Sequence, residues 1–149
     1  MPDSLHRSIG RRRASADDLP FLLALREEAM GRYLRAAGLP ATTAAHRARI
    51  AQRFDCIEII TRDGCPVGML KLLRAEGCWQ LLQFQVAAGA RGGGLGRRIL
   101  DQLIAEAAAD GADLSLHVLR DNPARHLYER AGFRVVGQDR HEFHLHRPR

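Results

Sequence analysis

The chain has 149 residues, 46% of them hydrophobic, and a formal net charge of +6. That length suits one domain with a sizeable core, and that composition excludes a disordered chain. No apolar run approaches the roughly 20 residues of a membrane span, and Met1 to Gly10 carries no apolar stretch suited to a signal peptide, so a single domain over residues 1–149, in the cytoplasm, is expected.

In chain order, residues 7–14 read as a first strand. Asp17 or Asp18 can cap a helix from about Leu19 to Leu34, with Leu19, Leu22, Leu23 and Met30 as its apolar stripe. Gly38-Leu39-Pro40 breaks it, and a second helix follows from about Thr43 to Phe54, capped by Thr42 or Thr43. The period then changes. Cys56–Thr61 and Val67–Arg74 are strands joined by an Asp63-Gly64 hairpin signal. A tight turn at Ala75-Glu76-Gly77 leads to a third strand, Cys78–Val86.

A glycine-rich turn comes next, then a strong helix in which Leu95, Ile99, Leu103 and Ala107 recur every four residues. Asp110-Gly111 ends it. Leu114–Leu119 is a strand. Asn122-Pro123 opens a short helix, with Asn as cap and Pro at the first helical position, and Gly132 closes it. Phe133–Val136 and Arg140–Leu145 form a last hairpin. The order β-α-α-β-β-β-α-β-α-β-β describes an α/β fold of the α+β type. It has one strand–helix–strand unit inside a mostly antiparallel, mixed sheet.

The turn Arg91-Gly92-Gly93-Gly94-Leu95-Gly96 sits between a strand and a helix. Amides at a helix N-terminus are unpaired donors, the helix dipole favours an anion there, and glycines let a bulky phosphate come close. A Walker loop would need Gly-Lys-Ser/Thr, yet Gly96 is followed by Arg97 and Arg98. A Rossmann fingerprint counted from Gly92 puts its last glycine on Arg97. The remaining pattern, Arg91-x-x-Gly94-x-Gly96, resembles the acetyl-CoA signature of the GNAT superfamily of N-acetyltransferases. A second segment, Asn122-Pro-Ala-Arg-His-Leu-Tyr128-Glu-Arg-Ala-Gly132-Phe133, is similar to that superfamily's downstream motif. It arrives one helix and one strand later.

The resemblance implies a GNAT fold, with Cys78–Val86 and Leu114–Leu119 splayed apart and coenzyme A in the gap between them. The main chain near Val86 would pair with the pantetheine arm. The amides of Arg91, Gly92, Gly93, Gly94, Leu95, Gly96 and Arg97 would hold the pyrophosphate. Arg97 or Arg98 would add charge, though both equally suit a solvated helix face. Asn122 would face pantetheine besides capping its helix. Tyr128 matches the family's general acid: a leaving thiolate, whose thiol has a pKa of about 8.5, departs more easily when protonated. The alternative for Tyr128 is a core residue under the last helix.

The general base is left unassigned. Gln83 and Gln85 on the central strand are not bases, though they suit holding a water; Glu27, Glu28, His117 and His144 are further candidates. Cys56, Cys65 and Cys78, odd in number and with no Cys-x-x-Cys, read as reduced, mostly buried thiols rather than nucleophiles or zinc ligands. On an alternating strand His144 and His146 share a face and His141 takes the other, which does not make a metal site. No metal is expected. Of 23 basic side chains only Lys71 is a lysine, and apart from Arg11-Arg12-Arg13 the arginines are scattered. That pattern speaks for a compositional bias against a nucleic-acid partner.

The expected activity is therefore acetyl transfer from acetyl-CoA to a primary amine of a metabolite, antibiotic or peptide N-terminus. The alternative is an acyl-CoA-binding module without robust catalysis. The expected partners are acetyl-CoA or CoA and an amine-bearing acceptor, with no membrane. A homodimer is left open.

Overall fold

The structure, a computed structural model, describes residues 8–149. Strand β1 (Ile9–Arg13) leads through a 3₁₀ turn into helix α1 (Leu19–Ala36), followed by α2 (Thr43–Ala51). Strands β2 (Ile57–Arg62), β3 (Cys65–Ala75) and β4 (Cys78–Val86) form the antiparallel meander. Then come α3 (Leu95–Ala109), β5 (Asp113–Leu119), α4 (Ala124–Arg130), β6 (Arg134–Gln138) and β7 (Glu142–Arg147). The seven strands make one sheet in the order β1-β2-β3-β4-β5-β7-β6. Every element read from the sequence is present. The portion of the first strand assigned to Arg7 lies outside the described residues.

The local chemistry explains most boundaries. Asp63 and Gly64 both have positive φ, 52° and 83°, as a two-residue type I′ hairpin requires. Thr42 caps α2, its Oγ1 accepting from the Ala45 amide at 3.1 Å. That helix stops at Ala51 rather than Phe54, because Arg53 turns left-handed (φ 52°) and the Lys71 ammonium takes the carbonyls of Arg49, Ile50 and Gln52. Asp18 does not cap α1 with its side chain. It is the third residue of the 3₁₀ turn, and its carboxylate turns back to the Ser15 amide and to Arg12. The cysteines also differ from expectation: all three are free, but Cys65 is exposed and Cys56 and Cys78 are only partly buried. Cys65 opens β3 directly after the hairpin turn, where neither face is covered.

Two apolar layers flank the sheet. On one face α3 buries Leu95, Ile99, Leu100, Leu103 and Ala107 against Ile60, Leu70, Leu72, Trp79 and Leu81. On the other, Leu22 and Leu25 of α1 and Ile50 of α2 pack on Ile57, Ile59 and Met69. The Arg11-Arg12-Arg13 run is bound internally. Arg11 bridges Glu58 of β2 and Glu106 of α3, Arg12 forks onto Asp18, and Arg13 donates to the Asp55 carbonyl. Its charge fastens an edge strand.

The decisive feature is how β4 is paired. It runs antiparallel to β3 along its whole length, but parallel to β5 only from Cys78↔Asp113 to Leu81↔Leu116. A bulge places Leu82 as an extra residue between Leu81, paired with Leu72, and Gln83, paired with Lys71. Beyond it the two strands part. β7 stays paired along the opposite edge of β5 from Leu114 to Leu119, so the edges that β4 and β5 turn to each other are left open.

The Arg12–Asp18 fork yields a stability test. Hydrogen bonding to Arg12 holds the Asp18 carboxyl down to about 2. Because this lies below the unfolded value, the contribution of Asp18 is fully present above the ordinary carboxylate range and is lost as pH falls through about 2. Asp18→Asn should therefore lower the urea midpoint at pH 6, with the gap to wild type closing between pH 4 and pH 2.

Candidate functional site

The gap left by the parting strands opens into a cavity of about 1000 Å³. It is lined by Gln85 and Val86 of β4, the glycine turn, Asn122, Tyr128, and one face of α1 that includes Glu27, Glu28 and Met30.

The turn is shaped for an anion. Gly92 and Gly94 adopt φ 84° and 80°, a region that side-chain-bearing residues rarely enter. Gly94 precedes the first residue of α3, and the first bond of that helix runs from the Arg98 amide to the Gly94 carbonyl at 3.0 Å. The amides of Leu95, Gly96 and Arg97 thus have no backbone acceptor among the described residues, and they stand at the positive end of a 15-residue helix. Gly96 is not held to glycine by its own backbone: a Cβ there would make only ordinary contact with Leu127 at 3.5 Å.

The arginines divide. Arg97 lines the cavity, with its Nε on Asp101 at 2.9 Å, whereas Arg98 is not part of the wall. Arg91 spans two elements: Nε donates to the Val86 carbonyl at 2.8 Å, and Nη1 and Nη2 fork onto Glu28 at 3.0 and 2.7 Å. The Val86 carbonyl, expected to meet pantetheine, is therefore occupied by Arg91 here. This ion pair fastens α1 to the glycine turn.

Asn122 does cap its helix, Oδ1 accepting from the Ala124 amide at 2.9 Å, while Nδ2 points to Met30 Sδ at 3.8 Å inside the cavity. Tyr128 is a packed core residue that also reaches the cavity. It packs edge-on against Phe133, with ring centroids 5.8 Å apart, and it lines the cavity. Its backbone is fixed by the helix end: the Phe133 amide returns to the Tyr128 carbonyl at 3.1 Å, across Gly132 at φ 98°. Burial pushes the Tyr128 phenol well above its ordinary range, so it stays protonated at any working pH.

The four base candidates separate likewise. Glu27 and Glu28 line the cavity, but His117 and His144 do not. His117 stacks on His144 at 4.0 Å, and His144 is held by Asp139 at 2.9 Å. His146 is held by Asp113 at 3.0 Å. Hydrogen bonds from Arg35 and then His46 hold the Glu27 carboxyl below its ordinary range. Gln83 and Gln85 are buried, and both amide atoms of Gln83 lack a partner. Among the described residues, no group of three or more His, Cys, Asp or Glu side chains could hold a metal ion.

The GNAT acetyltransferase family model matches residues 22–133. The chain belongs to that family. Its fold is shared with the PaiA N-acetyltransferase of Thermoplasma acidophilum in complex with coenzyme A (18% identity over 95% of this chain and 99% of that one, TM-score 0.75). It is shared also with an acetyltransferase from Thermus thermophilus (23%, 95% and 97%, TM-score 0.76). A third is Arabidopsis thaliana Naa50, solved with the bisubstrate analogue CoA-Ac-MVNAL (14%, 95% and 99%, TM-score 0.70). At these identities the likeness is one of fold, and the GNAT architecture, with its mixed sheet parted at the centre, is the one described above.

Of the wall that α1 supplies, the sequence singled out Glu27 and Glu28 but not Met30 as a cavity residue, nor the buried Arg26, His46 and Lys71 behind it. The one local hint is Gly31. A Cβ at that position would collide with the Glu27 carboxylate, which folds back across the helix to His46.

The two glycines should respond differently to alanine. Gly94→Ala forces a side chain into positive φ and should lower the unfolding free energy of the unliganded protein by about 1 kcal/mol. Gly96→Ala should leave it nearly unchanged. Urea denaturation of both variants makes the comparison.

Proposed function

We propose that residues 1–149 form one acetyltransferase domain that moves the acetyl group of acetyl-CoA directly to a primary amine, in the cytoplasm and without a metal. The observation carrying this reading is the parting of β4 from β5 immediately beside the N-terminus of α3. A strand edge with unpaired polar groups then meets a set of unpaired amides in one cavity.

In this reading the pantetheine arm lies along the free edge of β4 near Val86. The amides of residues 92–97 receive the pyrophosphate, that of Arg91, expected to join them, being taken by the Ala88 carbonyl at 3.3 Å; Arg97 adds positive charge at the wall, and Asn122 faces the arm. Arg91 would have to yield the Val86 carbonyl or share it. The amine attacks the thioester carbonyl, a tetrahedral intermediate forms, and its collapse breaks the C–S bond. The sulfur leaves with the Tyr128 proton. A phenol kept neutral by burial suits a donor and not a base. A protonated amine must lose its proton first, and the central strand offers only Gln83 and Gln85. We assign Gln85, which lines the cavity, the holding of a water that carries that proton away, with Glu27 and Glu28 as the carboxylates of the wall.

The glutamines, in place of a carboxylate, also favour a second reading: a module that binds acyl-CoA without turning it over. Three measurements test the readings. Calorimetry should show acetyl-CoA binding; its failure, with CoA also inert, contradicts both. Tyr128→Phe should lower kcat about a hundredfold or more, with acetyl-CoA affinity within about threefold of wild type. Equal loss of both makes Tyr128 a packing residue. Binding without turnover over a broad amine panel selects the module.

A further inference from the structure

Five polar side chains are buried on the α1–α2 face of the sheet: Arg26, His46, Lys71, Gln85 and Gln83. The bulge at Leu82 puts the last of them there. Upstream of it Trp79 and Leu81 face α3; downstream, Gln83 and Gln85 pair with Lys71 and Met69, which face α1 and α2.

Lys71 has no free donor. Its ammonium meets three main-chain carbonyls at the end of α2, and burial together with Arg49 and Arg26 lowers its pKa to about 8. Arg26 is different. Its Nε donates to His46 Nδ1 at 3.1 Å. Since arginine cannot accept, that nitrogen accepts, and the ring proton of a neutral His46 lies on Nε2, 2.7 Å from Glu27. The two terminal nitrogens of Arg26 have no hydrogen-bond partner and no carboxylate against them among the described residues. Burial, then the charge of Arg49, lowers its pKa to about 10. A largely buried guanidinium with no anion against it, beside a buried ammonium, is costly to a fold, even where its tips keep a little exposure. Gln83 adds a buried amide with neither donor nor acceptor satisfied. Unused donors and uncompensated positive charge thus converge from two elements.

The place is informative. Gln83 stands just past the point where β4 leaves β5, and Gln85, next on the same face, lines the cavity. Glu27, adjacent to Arg26, lines it too. Arg26 and Gln83 are not themselves part of the wall and are both buried to about nine-tenths or more, so only a small group passing between the wall residues would reach them. A planar carboxylate matches a guanidinium fork flanked by an amide N–H.

We propose that Arg26 and Gln83 receive a carboxylate carried by the acceptor, which makes the substrate class small amines bearing a free carboxylate, of the amino-acid type. Lys71 and Arg49 add positive potential without touching the ligand. This inference rests on the acyl-transfer reading above, and its test has an arm that does not.

In the first arm, turnover of acetyl-CoA is measured with the common L-amino acids, each against its own amide. The amide carries the less basic amine and is intrinsically the readier nucleophile at neutral pH, so a preference for the acid must come from the protein. The best acid should exceed its amide at least about tenfold in kcat/KM. Arg26→Met should reduce that preference to about twofold or less, and should leave the melting temperature of the unliganded protein unchanged or raised, because an uncompensated buried charge is gone. Gln83→Leu should erode the same preference. Equal use of acid and amide by the wild type overturns the proposal. So does an Arg26→Met protein that melts lower yet keeps the preference, since Arg26 would then serve only to hold His46.

If no acceptor is turned over, the acyl-transfer reading fails by itself and the second arm decides. Protein saturated with CoA is titrated calorimetrically with N-acetyl amino acids and with their amides at matched ionic strength. Heats from the acids alone, abolished in Arg26→Met, support the carboxylate site. Equal heats, or none from either series, overturn it.

Discussion

β4 keeps a partner on both edges only as far as Leu81. A sheet strand that loses one neighbour must satisfy its freed N–H and C=O groups otherwise, because buried main-chain polar groups are costly when unpaired. β5 does not follow β4 past the bulge at Leu82; its six pairs with β7 lie on its far edge, so the groups that β4 and β5 no longer give each other face the gap. The rest of the molecule is arranged round the resulting gap. The glycine turn and the start of α3 close it on one side, α4 brings Asn122 and Tyr128 to the other, and α1 lays Glu27 to Met30 across it.

The same bulge divides the chemistry. Before Leu82 the odd-numbered residues of β4 join the apolar layer under α3; after it they turn to α1 and α2 and are glutamines. One side of the gap thus offers main-chain amides and a helix dipole. Behind the other lie buried cations, Arg26 and Lys71, with few carboxylates to balance them. Both sides favour negative charge, but differently. The amides offer many weak donors to a spread-out anion. The guanidinium offers a compact fork. A family of enzymes joining a phosphorylated donor to diverse acceptors would keep the first and vary the second.

Much of this was legible along the chain. Element order follows from local signals: the Asp63-Gly64 turn, the four-residue spacing in α3, Asn122-Pro123 before α4. The glycine turn and Tyr128 could be singled out because their motifs rest on residue type at short spacing, and both lie in the cavity wall. The parting of β4 and β5 was reached only through family resemblance, since strand pairing is non-local and a bulge leaves no mark in Leu81-Leu82-Gln83. Arg26 was invisible for a related reason. Between Leu25 and Glu27 on an amphipathic helix it looks like a solvated edge residue, and only the position of α2 buries it. The Arg11-Arg12-Arg13 run, the one arginine cluster, gave no sign along the chain of its internal partners Glu58, Glu106 and Asp18, which lie far off in sequence or on the next turn.

The gap as a coenzyme A cleft is tested most directly by hydrogen–deuterium exchange of the main-chain amides with and without CoA. Slowed exchange at residues 83–86 and 92–97, with β2, β3 and the α3 C-terminus unchanged, is the expected pattern. Protection elsewhere with those two segments unaffected, or none at saturating CoA, would contradict it.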